Sequence, residues 1–182
     1  MVGALEAVAP IRGRHAVLIG AGGAARGMAV GLLDAGARVT ILNRTRAKAE
    51  ALAKEFGCEA GGIEDAGKVR ADILLNSTPV GMKSEVLSPK SEVGTQESAI
   101  RNPQSAIELP SPVESIRPGM IVFDAVYTPP ETELLRVAKE RGAIPVSGVE
   151  MFLRQAALQV EAFTGKGVSA EEMAMWRRTL GV

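Results

Sequence analysis

The residues best suited to chemistry in this sequence are a glycine-rich run and a basic run about two dozen residues later. The glycine-rich run, residues 20–25, follows the apolar stretch 16–19 and precedes a segment with helical spacing. In that context a G-x-G-x-x-A pattern predicts a strand–turn–helix unit that binds a pyrophosphate. Gly20 would allow the tight bend, and Gly22 would let the backbone approach the phosphate because it has no Cβ. The alternative is a plain strand-to-helix turn.

The basic run falls where the second strand of such a unit should end. NAD enzymes usually carry an acid there for the ribose 2′-hydroxyl, whereas this sequence has Arg44, whose planar guanidinium suits a 2′-phosphate. Thr45 can donate its hydroxyl while capping the next helix, and Lys48 adds charge one turn later. Arg46 lies at another helical azimuth and is expected in solvent. An exposed basic helix start is the alternative, but the two runs together predict NADP as the cofactor.

Composition limits the remaining possibilities. The 182 residues are 46% hydrophobic and 23% charged with a net charge of +0, which predicts one globular domain over residues 1–182. No basic–aromatic run suggests nucleic acid, and no apolar run reaches the ~18 residues of a membrane span. The single cysteine, Cys58, fits a reducing compartment. We therefore expect a cytoplasmic protein, or a plastid one if the chain comes from a plant-type precursor.

Strand-like and helix-like segments alternate along the chain. This alternation predicts an α/β fold, a doubly wound, Rossmann-like parallel sheet with helices on both faces. Strands are expected at residues 16–20, 38–42, 58–60, 72–76, 120–126 and 143–146. Helices are expected at residues 3–8, 23–35, 46–56, 131–141, 149–163 and 171–179. Residues 83–112 are rich in Ser, Glu, Pro and Gln without a clean period, which predicts a mobile insertion or, alternatively, a lid.

Several polar residues at or near predicted strand ends are further candidates. The hydroxyl of Tyr127 could meet a polar substrate, and Asp124 could either face a ligand or hold a loop through backbone N–H groups. Gln155 lies four residues after Met151 on one helix, so both point to one face. Because burying an amide there without a partner would be costly, a substrate contact is favoured. His15 is expected at a polar edge before the first strand, too far from the predicted cleft to act as a catalytic acid.

Taken together, these residues resemble the C-terminal, NADP-binding half of shikimate dehydrogenases, including the form fused to dehydroquinate dehydratase. The matching stretches are GAGGAARG at 20–27, NRTRAKAE at 43–50, NSTPVGM at 76–82, FDAVYTPPETELL at 123–135 and VSGVEMFLRQAALQVEAFTG at 146–165. The resemblance implies the reversible NADPH-dependent reduction of 3-dehydroshikimate to shikimate, a step of aromatic amino-acid biosynthesis.

The resemblance also implies a role for individual residues. It places the pyrophosphate on Gly20, Ala21, Gly22, Gly23 and Ala24, and the 2′-phosphate on Asn43, Arg44, Thr45 and Lys48. It places Ala125, Gly148 and Met151 beside the nicotinamide, with Tyr127 and Gln155 approaching the substrate. The catalytic Lys–Asp pair and the serine-rich substrate site of the family are implied on an N-terminal substrate domain that this sequence does not match. No residue here is therefore assigned a catalytic role, and no metal is expected.

Alternative functions remain open on these observations. A quinate dehydrogenase, or another NADP reductase acting on a hydroxy acid, would share the same cofactor signals. A protein of a different class, a non-catalytic nucleotide-sensing domain, would use residues 83–112 to contact partners.

Overall fold

A computed structural model describes residues 1–82 and 109–180, and within these ranges it confirms the predicted α/β class. The strands are β1 (His15–Ile19), β2 (Arg38–Asn43), β3 (Glu59–Gly62), β4 (Ile73–Asn76), β5 (Ile121–Asp124) and β6 (Ile144–Ser147). The helices are α1 (Val2–Glu6), α2 (Gly23–Asp34), α3 (Arg46–Phe56), α4 (Glu133–Glu140), α5 (Gly148–Thr164) and α6 (Ala170–Leu180). The insertion predicted at 83–112 lies outside the described residues except for 109–112.

The strands form one parallel sheet in the order β3-β2-β1-β4-β5-β6. The chain moves outward from β1 to β3 and then returns to place β4 on the other side of β1, which makes the β1/β4 boundary the switch point of the sheet. Ile19 pairs with Leu42 on one side and with Asn76 on the other, and Asn76 pairs with Asp124. The carboxyl ends of the central strands therefore meet at one edge, where their loops form a common surface.

The hydrophobic core has two layers because side chains alternate across the sheet. In β1, Ala16 and Leu18 join the cluster under α1, α2 and α3, whereas Val17 and Ile19 join the cluster under α4. All five residues of β1 are buried, as expected for the central strand of a sheet covered on both faces.

The sequence predicted the helix ends well because their end residues have direct physical signals. Gly57 ends α3 in a left-handed conformation with φ 67°, a conformation that favours glycine. Gly36 follows α2 with φ 82°, one residue beyond the C-cap, Ala35. The ends of the elements differ from the predicted bounds by at most two residues, and α3 matches its prediction at both ends.

His15 is not at a polar edge, so that prediction was wrong. It is the first residue of β1 and is buried, and its ring nitrogens hydrogen-bond the Thr40 hydroxyl at 2.8 Å and the Arg70 carbonyl at 3.0 Å. These partners compensate the cost of burying the imidazole. Because it stands at the amino end of β1, His15 lies at the opposite edge of the sheet from the carboxyl-end loops, as expected.

Strand β6 is an edge strand of the sheet that the described residues form. The backbone N–H of Ile144 donates to the Met120 carbonyl at 2.8 Å, on the β5 side. Because successive backbone groups of a strand point to opposite sides, the nitrogen of the next residue, Pro145, faces the open side, where it has no hydrogen to donate.

The helices within residues 1–82 and 109–180 lack the combination of length and hydrophobicity that a membrane span needs. The same ranges contain no group of three His, Cys, Asp or Glu side chains placed to hold a metal ion.

Candidate functional site

A cleft of about 500 Å³ opens at the carboxyl ends of β1, β2 and β4, at the switch point of the sheet. Seven residues predicted as cofactor contacts form part of its wall: Gly20, Ala21, Gly22, Asn43, Arg44, Thr45 and Lys48. The glycine-rich turn and the basic run, separate in sequence, are thus brought to the two sides of one cavity because β1 and β2 are neighbours. This is the usual position of a ligand in a doubly wound sheet.

Of the first two glycines of the turn, only Gly20 is required by the fold of the chain. Gly20 has φ 112°, and a Cβ there would lie 2.4 Å from the Ser77 Oγ, so the fold itself requires glycine. Gly22 has an ordinary extended φ of −96°, and a Cβ there would meet nothing within 4 Å. Packing within the protein therefore does not require glycine at position 22. The open space beside the Gly22 Cα is available to a ligand that approaches the backbone closely. Ala25, the third small position, is fully buried and lets α2 pack close to the sheet.

The N-terminus of α2 follows this turn directly, and no side chain of the described residues caps it. Its N-cap, Gly22, makes no side-chain cap hydrogen bond, and the first turn contains no acidic residue. The first-turn N–H groups and the positive end of the helix dipole are therefore left to an anion. Gly23 and Ala24 are exposed in this first turn but do not form part of the cleft wall.

Arg44 and Lys48 supply positive charge on the other side of the cleft. Both are exposed, and neither forms an ion pair with any residue in the described part of the chain. Thr45 is the N-cap of α3, as predicted, yet its hydroxyl makes no cap hydrogen bond. Asn43 donates from Nδ2 to the Thr45 carbonyl at 3.0 Å, which holds the turn. The arrangement presents two cations and a hydroxyl to a bound phosphate.

Arg46 is not simply solvated, as the sequence had suggested. Its guanidinium donates to Glu64 at 3.0 Å and to Asp65 at 2.6 Å, across to the short 3-10 helix that follows β3. Residues 44–48, at the start of α3, thus carry three cations in two different states: Arg46 is paired, while Arg44 and Lys48 form no ion pair with the described residues.

Asp124 serves the structure, which decides between its two predicted roles. It is fully buried, and its Oδ1 accepts from Asn76 Nδ2 at 2.9 Å and from the Val126 backbone N–H at 3.1 Å. Its Oδ2 accepts from the Thr132 hydroxyl at 2.6 Å. Burial raises the pKa of the Asp124 carboxyl above its ordinary value, against the effect of these hydrogen bonds. Both oxygens are thus used to tie the loop after β4 to the loop after β5.

The three residues implied beside the nicotinamide meet at the carboxyl ends of β5 and β6. A Cβ on Gly148 would lie 2.6 Å from the Ala125 carbonyl oxygen, so glycine is required there for the close approach of α5 to this loop. Ala125 and Met151 pack against the same core cluster. None of the three belongs to the cleft wall. Ala125 follows β5, two strands from β1 or roughly 10 Å at the usual strand spacing, and Gly148 and Met151 follow β6, one strand further away.

The two residues implied near the substrate lie outside the cleft wall as well. Tyr127 is 46% exposed and stacks on Phe152, with ring centroids 4.9 Å apart and planes 17° apart. Gln155 is exposed on α5, so the expectation of a buried amide was wrong and its high desolvation cost does not arise. The contact of Gln155 with a substrate stays a prediction from the family resemblance alone.

Sequence reasoning did not assign several other residues of the cleft wall: Ile63, Ser77, Thr78, Pro79, Val80, Leu109 and Pro110. Ser77 to Val80 form the turn after β4 and belong to the stretch 76–82 that carries the family resemblance. Ile63 reaches the cleft because β3 pairs with β2. The sequence of β3, which is short and contains glycine, does not predict this pairing. Leu109 and Pro110 end an aperiodic segment and carry no local signal.

The sheet order, the glycine-rich turn and the uncapped helix at the switch point define a Rossmann-type α/β domain. A family model described as shikimate / quinate 5-dehydrogenase matches residues 4–115. The chain belongs to this family.

Individual relatives agree with this assignment. The chain is 39% identical over 159 residues to the chloroplastic bifunctional 3-dehydroquinate dehydratase/shikimate dehydrogenase of Arabidopsis thaliana, covering 86% of this chain and 23% of that protein. It is 37% identical to the NADP⁺ shikimate dehydrogenase of Haloarcula marismortui, covering 87% of this chain and 52% of that one. A crystal structure of shikimate 5-dehydrogenase from Thermus thermophilus with NADP(H) and shikimate matches with a TM-score of 0.74 and 33% identity, covering 98% of this chain and 60% of that one. The chain thus spans about half the length of the single-function relatives.

Proposed function

We propose that this chain is the NADP(H)-binding half of a shikimate dehydrogenase, which reversibly reduces 3-dehydroshikimate to shikimate with NADPH. One observation carries the proposal: Arg44 and Lys48, which have no ion-pair partner among the described residues, face the N-terminus of α2 across one cleft. This distribution of charge suits NADP(H), whose pyrophosphate would meet the helix N-terminus while its 2′-phosphate meets the two cations. The bound cofactor supplies the hydride chemistry, and the chain supplies orientation and charge neutralisation.

The cleft residues fit the two phosphate groups separately. The pyrophosphate would lie on residues 20–24, where Gly22 leaves room and the first turn of α2 offers its N–H groups. The 2′-phosphate would lie between the Arg44 guanidinium, the Thr45 hydroxyl and the Lys48 ammonium, with Asn43 holding the turn. A planar guanidinium can also stack on the adenine ring.

The nicotinamide would reach from the cleft across β4 to the carboxyl ends of β5 and β6. Ala125, Gly148 and Met151 would then form its support, which is held in place by the Asp124 network beneath it. Tyr127 and Gln155 would face the substrate on the outer side of this support. Their exposure is what a surface that receives a second domain requires.

We propose that the substrate is held by an N-terminal domain that carries the catalytic pair. Neither the loop after β5, residues 125–132, nor the first turn of α5, which directly follows β6, contains a lysine. This part of the chain therefore has no lysine that could transfer a proton to a substrate beside the nicotinamide. Helices α5 and α6 expose apolar side chains, with Phe163 88% and Leu158 67% exposed. Phe152 of α5 and Trp176 and Leu180 of α6 help to line a groove of about 360 Å³ between the two helices. An exposed apolar face of this kind fits a domain interface.

Isothermal titration calorimetry with NADPH and NADH tests the cofactor assignment. We expect NADPH to bind at least about tenfold more tightly, because only NADPH carries the phosphate that two unpaired cations can contact. The variant Gly22→Val should weaken both dinucleotides by more than about tenfold while leaving the midpoint of thermal unfolding nearly unchanged, since the open space there is lost without a clash in the protein. Binding of neither dinucleotide, or a preference for NADH, would contradict the proposal.

An absorbance assay at 340 nm tests the proposed division of labour. With NADP⁺ and shikimate, this chain alone should show negligible formation of NADPH, because the catalytic pair is proposed to lie on another domain. A complete bacterial or archaeal relative serves as the positive control. Rapid turnover by this chain alone would mean that the described residues contain a catalytic base.

A further inference from the structure

Two carboxylates lie beside the part of the cleft proposed for the 2′-phosphate. Glu64 and Asp65 directly follow Ile63, which is part of the cleft wall, in the 3-10 helix after β3. The pairing of Asn43 with Gly62 places this short helix next to the end of β2, from which Arg44 projects. The basic run and an acidic pair therefore share one corner of the site.

Both carboxylates are held in their charged form. A backbone hydrogen bond and then the Arg46 guanidinium lower the pKa of Glu64. The ammonium of Lys68, the Gly62 N–H and the Arg46 guanidinium lower the pKa of Asp65. Two full negative charges next to a phosphate dianion would oppose its binding, even through solvent, at separations below the Debye length.

Arg46 is placed to remove this opposition. Its Nη2 lies 3.0 Å from Glu64 Oε1 and 2.6 Å from Asp65 Oδ2, so one guanidinium serves both carboxylates. Lys68 pairs at 3.0 Å with Asp65 alone. Without Arg46, Glu64 would have no cationic partner among the described residues.

We propose that Arg46 sets the preference for the 2′-phosphorylated dinucleotide indirectly, by neutralising Glu64 and Asp65 at the edge of the site. Arg46 is thus a positioning and charge-balancing residue, distinct from the phosphate contacts Arg44, Thr45 and Lys48. This inference rests on the proposed function, because it concerns the same cleft. It deepens that function by making dinucleotide selectivity depend on a residue outside the cleft wall.

The test compares Arg46→Gln with the wild-type chain by calorimetry with NADPH and NADH. We expect the variant to bind NADPH about three- to tenfold more weakly and to change NADH binding less than about twofold, because only the 2′-phosphate senses the released charge. The loss should shrink as salt is raised, since screening acts between exposed charges. Arg136→Gln is the matched control, because Arg136 also bridges two carboxylates, Glu133 and Glu140, but on α4.

A rescue experiment separates this electrostatic role from a structural one. Adding Glu64→Gln and Asp65→Asn to Arg46→Gln should restore NADPH binding to within about twofold of the wild type, because the opposing charges are removed. The amide of Asp65→Asn keeps an oxygen acceptor for the Gly62 N–H, which Asp65 Oδ2 accepts at 3.1 Å. Thermal unfolding of each variant reports whether the fold is intact.

The outcomes are distinguishable. Equal weakening of NADPH and NADH in Arg46→Gln, unchanged NADPH binding, or a failed rescue would each overturn this inference while leaving the cofactor assignment in place. A wild-type chain that binds neither dinucleotide would overturn the proposed function itself.

Discussion

Arg44→Asp is expected to weaken NADPH binding by about a hundredfold, or about 3 kcal/mol, while NADH binding changes by less than about threefold. The substitution removes charge-assisted hydrogen bonds to the 2′-phosphate, each worth about 1.5–3 kcal/mol, and adds a like charge in their place. Arg44 is exposed and outside every ion pair of the described residues, so the fold loses no internal contact. Calorimetric titration of both dinucleotides measures the effect.

Two further variants make the Arg44 experiment specific. Arg178→Asp makes the same change of charge at an exposed position on α6 and should leave both affinities within about twofold. Arg44→Lys keeps the charge without the planar fork and should lie between the wild type and Arg44→Asp. Equal losses for NADPH and NADH in Arg44→Asp would remove the assignment of the 2′-phosphate to this corner of the cleft.

Asp124→Ala is expected to lower the free energy of unfolding by about 3 kcal/mol or more. The substitution leaves Asn76 Nδ2, the Val126 N–H and the Thr132 hydroxyl buried without their acceptor, and each such group costs about 1–3 kcal/mol. Urea denaturation monitored by circular dichroism measures the loss. An effect below about 1 kcal/mol would show that the loops after β4 and β5 do not depend on this carboxylate.

Asp124→Asn is the matched variant, because it retains the shape of the side chain and one acceptor oxygen. Burial raises the pKa of the folded-state carboxyl, so the folded chain binds a proton more readily than the unfolded chain. The stability contributed by this group is therefore fully present below its ordinary pKa of 3.8 and is lost as the pH rises through the raised value. The unfolding free energy of the wild type minus that of Asp124→Asn should therefore fall as the pH rises above about 4. A rise over this range would contradict the raised pKa.

The elements of this fold were predictable because their signals are local. The apolar run of β1, the glycines after α2 and α3, and the alternation of helices with strands each act over a few residues. The turn at Gly20 was equally visible, since only a glycine fits its φ of 112°. For the same reason the cleft residues on β1 and β2 could be located in advance.

What the sequence did not reveal depends on partners distant in the chain. The burial of His15 requires Thr40 and Arg70, and the pairing of Arg46 requires a short helix that only the register of β3 brings near. Asp124 could not be assigned to either role until Asn76 and Thr132 were known to surround it. Such contacts follow from the order of the strands, which local spacing does not encode.

Pro145 on the outermost strand has a consequence for self-assembly. A second copy that tried to continue the sheet past β6 would meet a backbone position with no hydrogen to offer, so the ladder would be broken in the middle of a four-residue strand. Pro145 thereby opposes aggregation by addition of a strand to β6. Two copies of the chain would have to associate through their side chains rather than through backbone hydrogen bonds at this strand.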